Sequence, residues 1–180
     1  VRSHAAVRTA TSGTASATPA PLAAATPAPL TAATSPPPTT AACAPLTGER
    51  VHAAAASNPI GLVVVTFANG ALSDFARNWL AHLDKTAVRE SALIGATDAE
   101  AKAALASSGR CFALESALGA GEAKWGSPGF SHMGRTKAAL TEQLVLLNVT
   151  LLLADADVVF VRDPLPWIAA RLHDGADTLL

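Results

Sequence analysis

Residues 60–67 form an uninterrupted run of apolar side chains, IGLVVVTF, that is rich in β-branched residues and lies between Pro59 and the Asn69-Gly70 pair. A run of this length without polar alternation is typical of a strand buried on both faces, as in a parallel sheet. Parallel neighbours need a crossover connection, which is usually a helix. The run therefore predicts that strands and helices alternate along the chain that follows.

Three further apolar segments are short enough to be strands, namely Ala92–Ala96, Cys111–Leu114 and Val149–Ala154. Segments with helical spacing or capping signals separate and follow them: Ala71–Lys85, 97–108, Ser131–Leu147 and Trp167–Leu172. This alternation predicts an α/β domain with a mainly parallel sheet and flanking helices. In such sheets ligands bind beyond the carboxyl ends of the strands.

Two local signals refine these boundaries. Thr97 and Glu100 have the spacing of a capping box, which predicts that Thr97 caps a helix and that Glu100 reaches back to its start. The glycine-rich segment Glu115–Phe130, which contains Pro128, is predicted to be a loop.

The N-terminal part of the chain has a different composition. Residues 9–47 carry no charge and hold eight of the twelve prolines. Residues 17–48 repeat with a period of eight, with prolines in register at 21, 29, 37 and 45. Such a segment has too little bulky apolar surface to offset the entropy of ordering. We predict a disordered Ala/Pro/Thr-rich linker or stalk over residues 1–56 and a folded domain over residues 57–180. Cys43 falls in the predicted stalk and Cys111 in a strand, and neither has neighbours suited to a zinc site.

Charge and length exclude several classes of protein. Thirteen basic and fourteen acidic residues give a formal net charge of −1, which argues against a broad nucleic-acid-binding face. Two cysteines are too few for a disulfide framework. No apolar run reaches the roughly 18–20 residues that span a bilayer. Because the chain opens on Val1 and closes on Leu180, we expect it to be part of a longer protein.

The strongest chemical signal is the pair Asp155 and Asp157, directly after the apolar segment Val149–Ala154. In an extended segment, residues i and i+2 point to the same side, so both carboxylates would converge beyond the strand. Two such carboxylates repel each other unless a cation neutralises them, and hard oxygen ligands suit Mg²⁺ or Mn²⁺. The alternative is a solvated acidic turn.

Three blocks of the sequence resemble the plant and algal nucleotide-diphospho-sugar transferase domain, glycosyltransferase family 77 in the sequence-based classification. They are VVVTFANGALSDFARNWLAHLD, SALIGATDAE and WGSPGFSHMGRTKAALTEQLVLLNVTLLLADADVVFVRDPLPWI. The last block contains the D-x-D motif followed by R-D-P. The resemblance covers about Pro59 to Leu180 and implies a Rossmann-like GT-A fold, of which this chain is the N-terminal portion.

The resemblance also implies a function. Asp155 and Asp157 would hold Mn²⁺ or Mg²⁺ on the diphosphate of a UDP-sugar of pentose or galactose type, with retention at the anomeric carbon. The acceptor would be a glycoprotein or a cell-wall polysaccharide. The full-length protein would reside in the Golgi lumen as a type II membrane protein, with an anchor that these residues do not contain.

Seven further positions are candidates for the donor site. Thr66, Phe67, Ala68 and Asn69 would lie against the nucleotide, although an Asn-Gly turn alone also explains Asn69. Arg135 and Lys137 could bind phosphate, but two residues apart they cannot share a helix face, and the family pattern favours Lys137. Asp98 would contact the donor by resemblance, or simply be an acid in the first turn of a helix.

Two other functions remain open at this point. A haloacid-dehalogenase-like phosphohydrolase also places D-x-D after an apolar strand, although usually after the first strand rather than the fourth. A non-catalytic wall or surface glycoprotein would explain the proline-rich stalk. Metal-dependent binding of a UDP-sugar separates these from the transferase.

Overall fold

The computed structural model describes residues 43–116, 118, 121 and 123–175. Within these residues five strands form one sheet in which every pairing is parallel. The strands are β1 (Ala44–Pro45), β2 (Leu62–Ala68), β3 (Ala92–Ala96), β4 (Cys111–Ala113) and β5 (Thr150–Leu153). The helices are α1 (Gly48–Ala55), α2 (Ser73–Leu83), α3 (Ala99–Leu105), α4 (Pro128–Val145) and α5 (Leu165–His173). The predicted α/β class is confirmed.

The order of strands across the sheet is β1-β4-β3-β2-β5. From β2 the chain builds outward through β3 to β4, and then returns to add β5 on the other side of β2. Leu62 pairs with Thr150 and Val65 with Leu153, so β2 and β5 are parallel neighbours in this sheet. A reversal of this kind leaves a crevice at the carboxyl ends of the two strands, where α/β proteins bind ligands.

Alternate residues of β2 enter two different cores, one on each face of the sheet. Leu62 and Val64 pack into the core covered by α2, α3 and α5. Val63 and Val65 pack into the core covered by α1 and α4. All four side chains are fully buried, which explains why this strand has no polar alternation.

The predicted stalk boundary at residue 56 is wrong for residues 43–56. Ala44 pairs with Phe112 of β4, and α1 follows with Val51 fully buried in the second core. Thr47 caps α1, since its hydroxyl accepts a hydrogen bond from the Arg50 N–H at 3.3 Å. Residues 43–48, at the end of the repeat, are therefore folded, whereas the predicted disorder of residues 1–42 lies outside the described residues.

Two physical reasons account for this error. Cys43 forms a disulfide with Cys111, the first residue of β4, and this bond attaches the segment to the sheet. Pro45, which signalled a break, sits in the edge strand β1, where a residue without an N–H donor is tolerated.

The predicted ends of two helices are also corrected. Asp98, not Thr97, is the N-cap of α3, and it accepts from the Ala101 N–H. Helix α4 starts at Pro128, inside the segment predicted as a loop, because Ser127 caps it and proline suits the first helical turn. In the part of the chain that the structure describes, no helix is both long and apolar enough to cross a bilayer.

Candidate functional site

A cavity of about 630 Å³ opens at the carboxyl ends of β2 and β5. It is bounded by the end of β2, the start of α2, the segment before α4, the first turns of α4 and the residues after β5. Its lining consists of Thr66, Phe67, Ala68, Asn69, Leu72, Phe75, Leu118, Ala123, Trp125, Phe130, Met133, Gly134, Lys137, Asp155, Ala156 and Asp157. The structure thus brings together seven of the nine predicted site residues; Arg135 and Asp98 do not line the cavity.

The end of β2 is held by hydrogen bonds from side chains. The Asn69 Oδ1 accepts from the Leu72 N–H at 3.3 Å and caps a short 3₁₀ turn at Gly70–Leu72. Its amide nitrogen donates to the Gly121 carbonyl at 2.9 Å. The Asn-Gly turn is therefore present, and Asn69 also lines the cavity. Contact between Thr66–Asn69 and a nucleotide stays a prediction.

Asp98 lies behind this turn. Its carboxylate accepts from the Gly70 N–H at 3.0 Å and from the Ala101 N–H at 2.8 Å, so it joins the end of β2 to the start of α3. Both bonds stabilise backbone groups that would otherwise lack partners. Asp98 therefore has a structural role that the sequence analysis allowed for, and its contact with the donor stays a prediction.

The D-x-D residues lie in a turn, not in the extended segment that the sequence predicted. Strand β5 ends at Leu153, and the Val158 N–H donates to the Asp155 carbonyl at 3.1 Å. Ala156 is buried in the first core, whereas the side chains of Asp155 and Asp157 are exposed and line the cavity. The two carboxylates still face one space, because the buried alanine between them fixes the turn against the sheet.

Lys137 and Arg135 project to different sides of α4, as their spacing predicted. The Lys137 Nζ lies 2.7 Å from the Asp155 Oδ1 inside the cavity. Arg135 instead lines a second groove, beside His132 and Glu115, between α4 and the ends of β1 and β4. The geometry therefore favours Lys137 of the two as a group that can reach a ligand in the cavity.

An aromatic wall, which we define as Trp125 and Phe130, lines the same cavity as the two carboxylates. Their ring centroids are 4.5 Å apart, and Trp125 is 86% exposed. The sequence analysis did not identify Phe130 and Met133 as candidate site residues. Phe130, Met133 and Lys137 have spacings of three and four residues, which place them on one helix face, but the misplaced start of α4 concealed this signal.

The carboxylate oxygens in the cavity suit a hard divalent cation whose coordination is completed by a substrate. Within the described ranges no group of three or more His, Cys, Asp or Glu residues gathers at one point. Mg²⁺ and similar ions commonly use one or two carboxylates, with waters and substrate phosphates supplying the other oxygens. Asp155 and Asp157 fit this arrangement. The ammonium group of Lys137 beside Asp155 shows that positive charge is accommodated there.

Comparisons with known proteins agree with this geometry. The family model described as nucleotide-diphospho-sugar transferase matches residues 87–180. The protein called arabinosyltransferase XEG113, from Arabidopsis thaliana, is 35% identical over 119 residues, which are 66% of this chain and 18% of that protein. No solved structure matches. Because the family model covers more than half of its length, this chain belongs to the nucleotide-diphospho-sugar transferase family.

Proposed function

We propose that this chain is the donor-binding part of a glycosyltransferase that uses a UDP-sugar and a divalent cation. The observation that carries the proposal is the shared cavity, which Asp155, Asp157 and Lys137 line together with the aromatic wall at the reversal between β2 and β5. Charged groups and aromatic rings in one cavity match the two parts of a nucleoside diphosphate, its phosphates and its base.

Each part of the cavity then has a role. Asp155 and Asp157 would hold Mn²⁺ or Mg²⁺, and such an ion stabilises the developing charge on a leaving diphosphate. The Lys137 ammonium would bind a phosphate oxygen as a point charge. Trp125 and Phe130 offer apolar ring surface on which a base can stack. The backbone at Thr66–Asn69 would present polar groups to the nucleotide.

The transferred sugar is proposed to be a pentose or a galactose, moved with retention at its anomeric carbon to a glycoprotein or a cell-wall polysaccharide. The relative named an arabinosyltransferase favours a pentose. The chain covers only 18% of that relative, so the acceptor side of the reaction rests on the resemblance alone.

The disulfide between Cys43 and Cys111 supports a location in the secretory pathway. Disulfides persist in oxidising compartments and are rare in the cytosol. We therefore propose that this domain folds and works in the Golgi lumen.

Isothermal titration calorimetry tests the proposal directly. UDP-arabinose, UDP-xylose and UDP-galactose are titrated into the chain with Mn²⁺ and with a chelator. We expect binding that requires Mn²⁺ and that UDP competes away. Absence of binding under both conditions would contradict the donor site and favour a non-catalytic glycoprotein. Release of inorganic phosphate from phosphomonoesters would instead favour the phosphohydrolase.

A further inference from the structure

We infer that Lys137 pairs with Asp155 and neutralises its charge in the free protein, and that it leaves Asp155 when the metal ion and the donor bind together. This inference rests on the proposed function. It assigns Lys137 two successive partners: the Asp155 carboxylate in the free protein, and the diphosphate of the donor in the complex. It predicts that the metal ion and the donor bind cooperatively. The metal ion displaces the Lys137 ammonium, which can then bind the diphosphate, and the diphosphate draws Lys137 away from Asp155, which can then bind the metal ion.

The geometry of the pair supports this assignment. The Lys137 Nζ and the Asp155 Oδ1 are 2.7 Å apart, although α4 and the turn after β5 are separate elements that meet only in the folded domain. Both residues line the cavity, whereas the residues of the other ion pairs between described residues do not. The pair therefore lies where the ligand is proposed to bind.

Electrostatics makes the two cations competitors. A divalent ion coordinated by the Asp155 Oδ1 would lie close to an ammonium group that is hydrogen-bonded to the same oxygen, and like charges at such distances repel each other. Lys137 must therefore move when the ion binds. Its flexible four-carbon stem allows that movement, and a phosphate oxygen gives the ammonium a new partner.

The exposure of the pair limits the size of the effect. The Lys137 side chain is 39% exposed and the Asp155 side chain 64% exposed, so solvent screens their attraction. Exposed ion pairs typically change an equilibrium constant by a factor of about two to five. A competition of this size weakens the binding of free metal ion but is easily reversed when a diphosphate binds.

Manganese binding in the absence of nucleotide provides the test. Mn²⁺ is titrated into the whole chain and followed by electron paramagnetic resonance, with Lys137→Met as the variant and Lys85→Met as the control. Lys85 is exposed, follows α2 and does not line the cavity, so its loss removes the same charge elsewhere. Lys137→Arg retains the positive charge at the site.

We expect Lys137→Met to bind Mn²⁺ about two- to fivefold more tightly than the parent, while Lys85→Met and Lys137→Arg bind it nearly as the parent does. At saturating Mn²⁺ the same Lys137→Met variant should bind UDP about tenfold more weakly, because the phosphate has lost its ammonium partner. A thermal melt confirms that the variant is folded. A residue with a merely structural role would not move the two affinities in opposite directions.

Three results would overturn the inference. If Lys137→Met binds Mn²⁺ no more tightly than the parent does, Lys137 does not compete for Asp155, although the metal site itself stands. If Lys85→Met shows the same gain, the effect is one of overall charge. If neither the parent nor any variant binds Mn²⁺, the inference fails together with the metal part of the proposed function.

Discussion

The Asp98 carboxylate lies 3.0 Å from the Gly70 backbone nitrogen and accepts its hydrogen bond, which joins the carboxyl end of β2 to the start of α3. The same carboxylate caps α3 through the Ala101 N–H. One side chain thus supports the backbone beside the cavity without lining the cavity itself. This arrangement suggests a way to separate stability from donor binding.

Asp98→Ala should lower the free energy of unfolding by about 1–2 kcal/mol, because an N-cap and a second backbone donor lose their acceptor. Asp98→Asn should lose less, since its amide oxygen can still cap the helix. Urea unfolding measures both variants. UDP-sugar binding by the folded Asp98→Ala variant then tests the predicted donor contact: unchanged affinity at unchanged Mn²⁺ would contradict that contact.

Cys43→Ser should destabilise the domain by about 4 kcal/mol, the chain-entropy value for a closed loop of this size. The two cysteines are 68 residues apart, and both are buried where β1 meets β4. Thermal melts with and without a reductant measure the effect. The parent should melt at a lower temperature in reductant, whereas Cys43→Ser should not respond. Equal melting temperatures for the parent in both buffers would show that the bond does not stabilise the fold.

Gly95→Ala should destabilise the domain by about 1–3 kcal/mol through overpacking. Gly95 lies in β3 between Phe67 and Phe112 on the neighbouring strands. A Cβ added to Gly95 would be 3.0 Å from the Phe67 Cβ and 3.0 Å from the Phe112 Cζ. Gly134→Ala is the matched control. It places the same methyl group on α4 with nothing within 4 Å, and should stabilise the helix by about 0.5–1 kcal/mol. If Gly95→Ala and Gly134→Ala have the same denaturant midpoint, the packing argument is wrong.

Asp157→Asn should reduce UDP-sugar affinity in Mn²⁺ at least about tenfold, because it removes one charged oxygen ligand and leaves the shape of the side chain. The free energy of unfolding should change by less than about 0.5 kcal/mol, since the side chain is exposed. Calorimetry with Mn²⁺ and a thermal melt give the two values, and Asp174→Asn, an exposed site after α5, is the control. Parent-like affinity in Asp157→Asn would refute the metal role of the motif, and unfolding would assign it a structural one.

Much of the fold could be predicted from the sequence, because strands and helices are specified by the local pattern of apolar residues. Residues 60–67 are rich in β-branched side chains and show no polar alternation, which favours a strand covered on both faces. Parallel neighbours then require helical crossovers, and the position of Asp155 after a strand places it at the ligand-binding edge. These conclusions need only the order of residues and the period of each segment.

Tertiary structure alone decided which distant residues meet. Lys137 meets Asp155 across 18 positions, Gly70 meets Asp98 across 28, and Cys43 meets Cys111 across 68. None of these contacts has a local signature, because each depends on which strands pair: β5 with β2 for the first, β3 with β2 for the second and β1 with β4 for the third. Composition marked residues 43–56 as part of a disordered stalk. A disulfide and a place at the sheet edge fold them instead, since stability gained from distant partners outweighs a weak local preference for disorder.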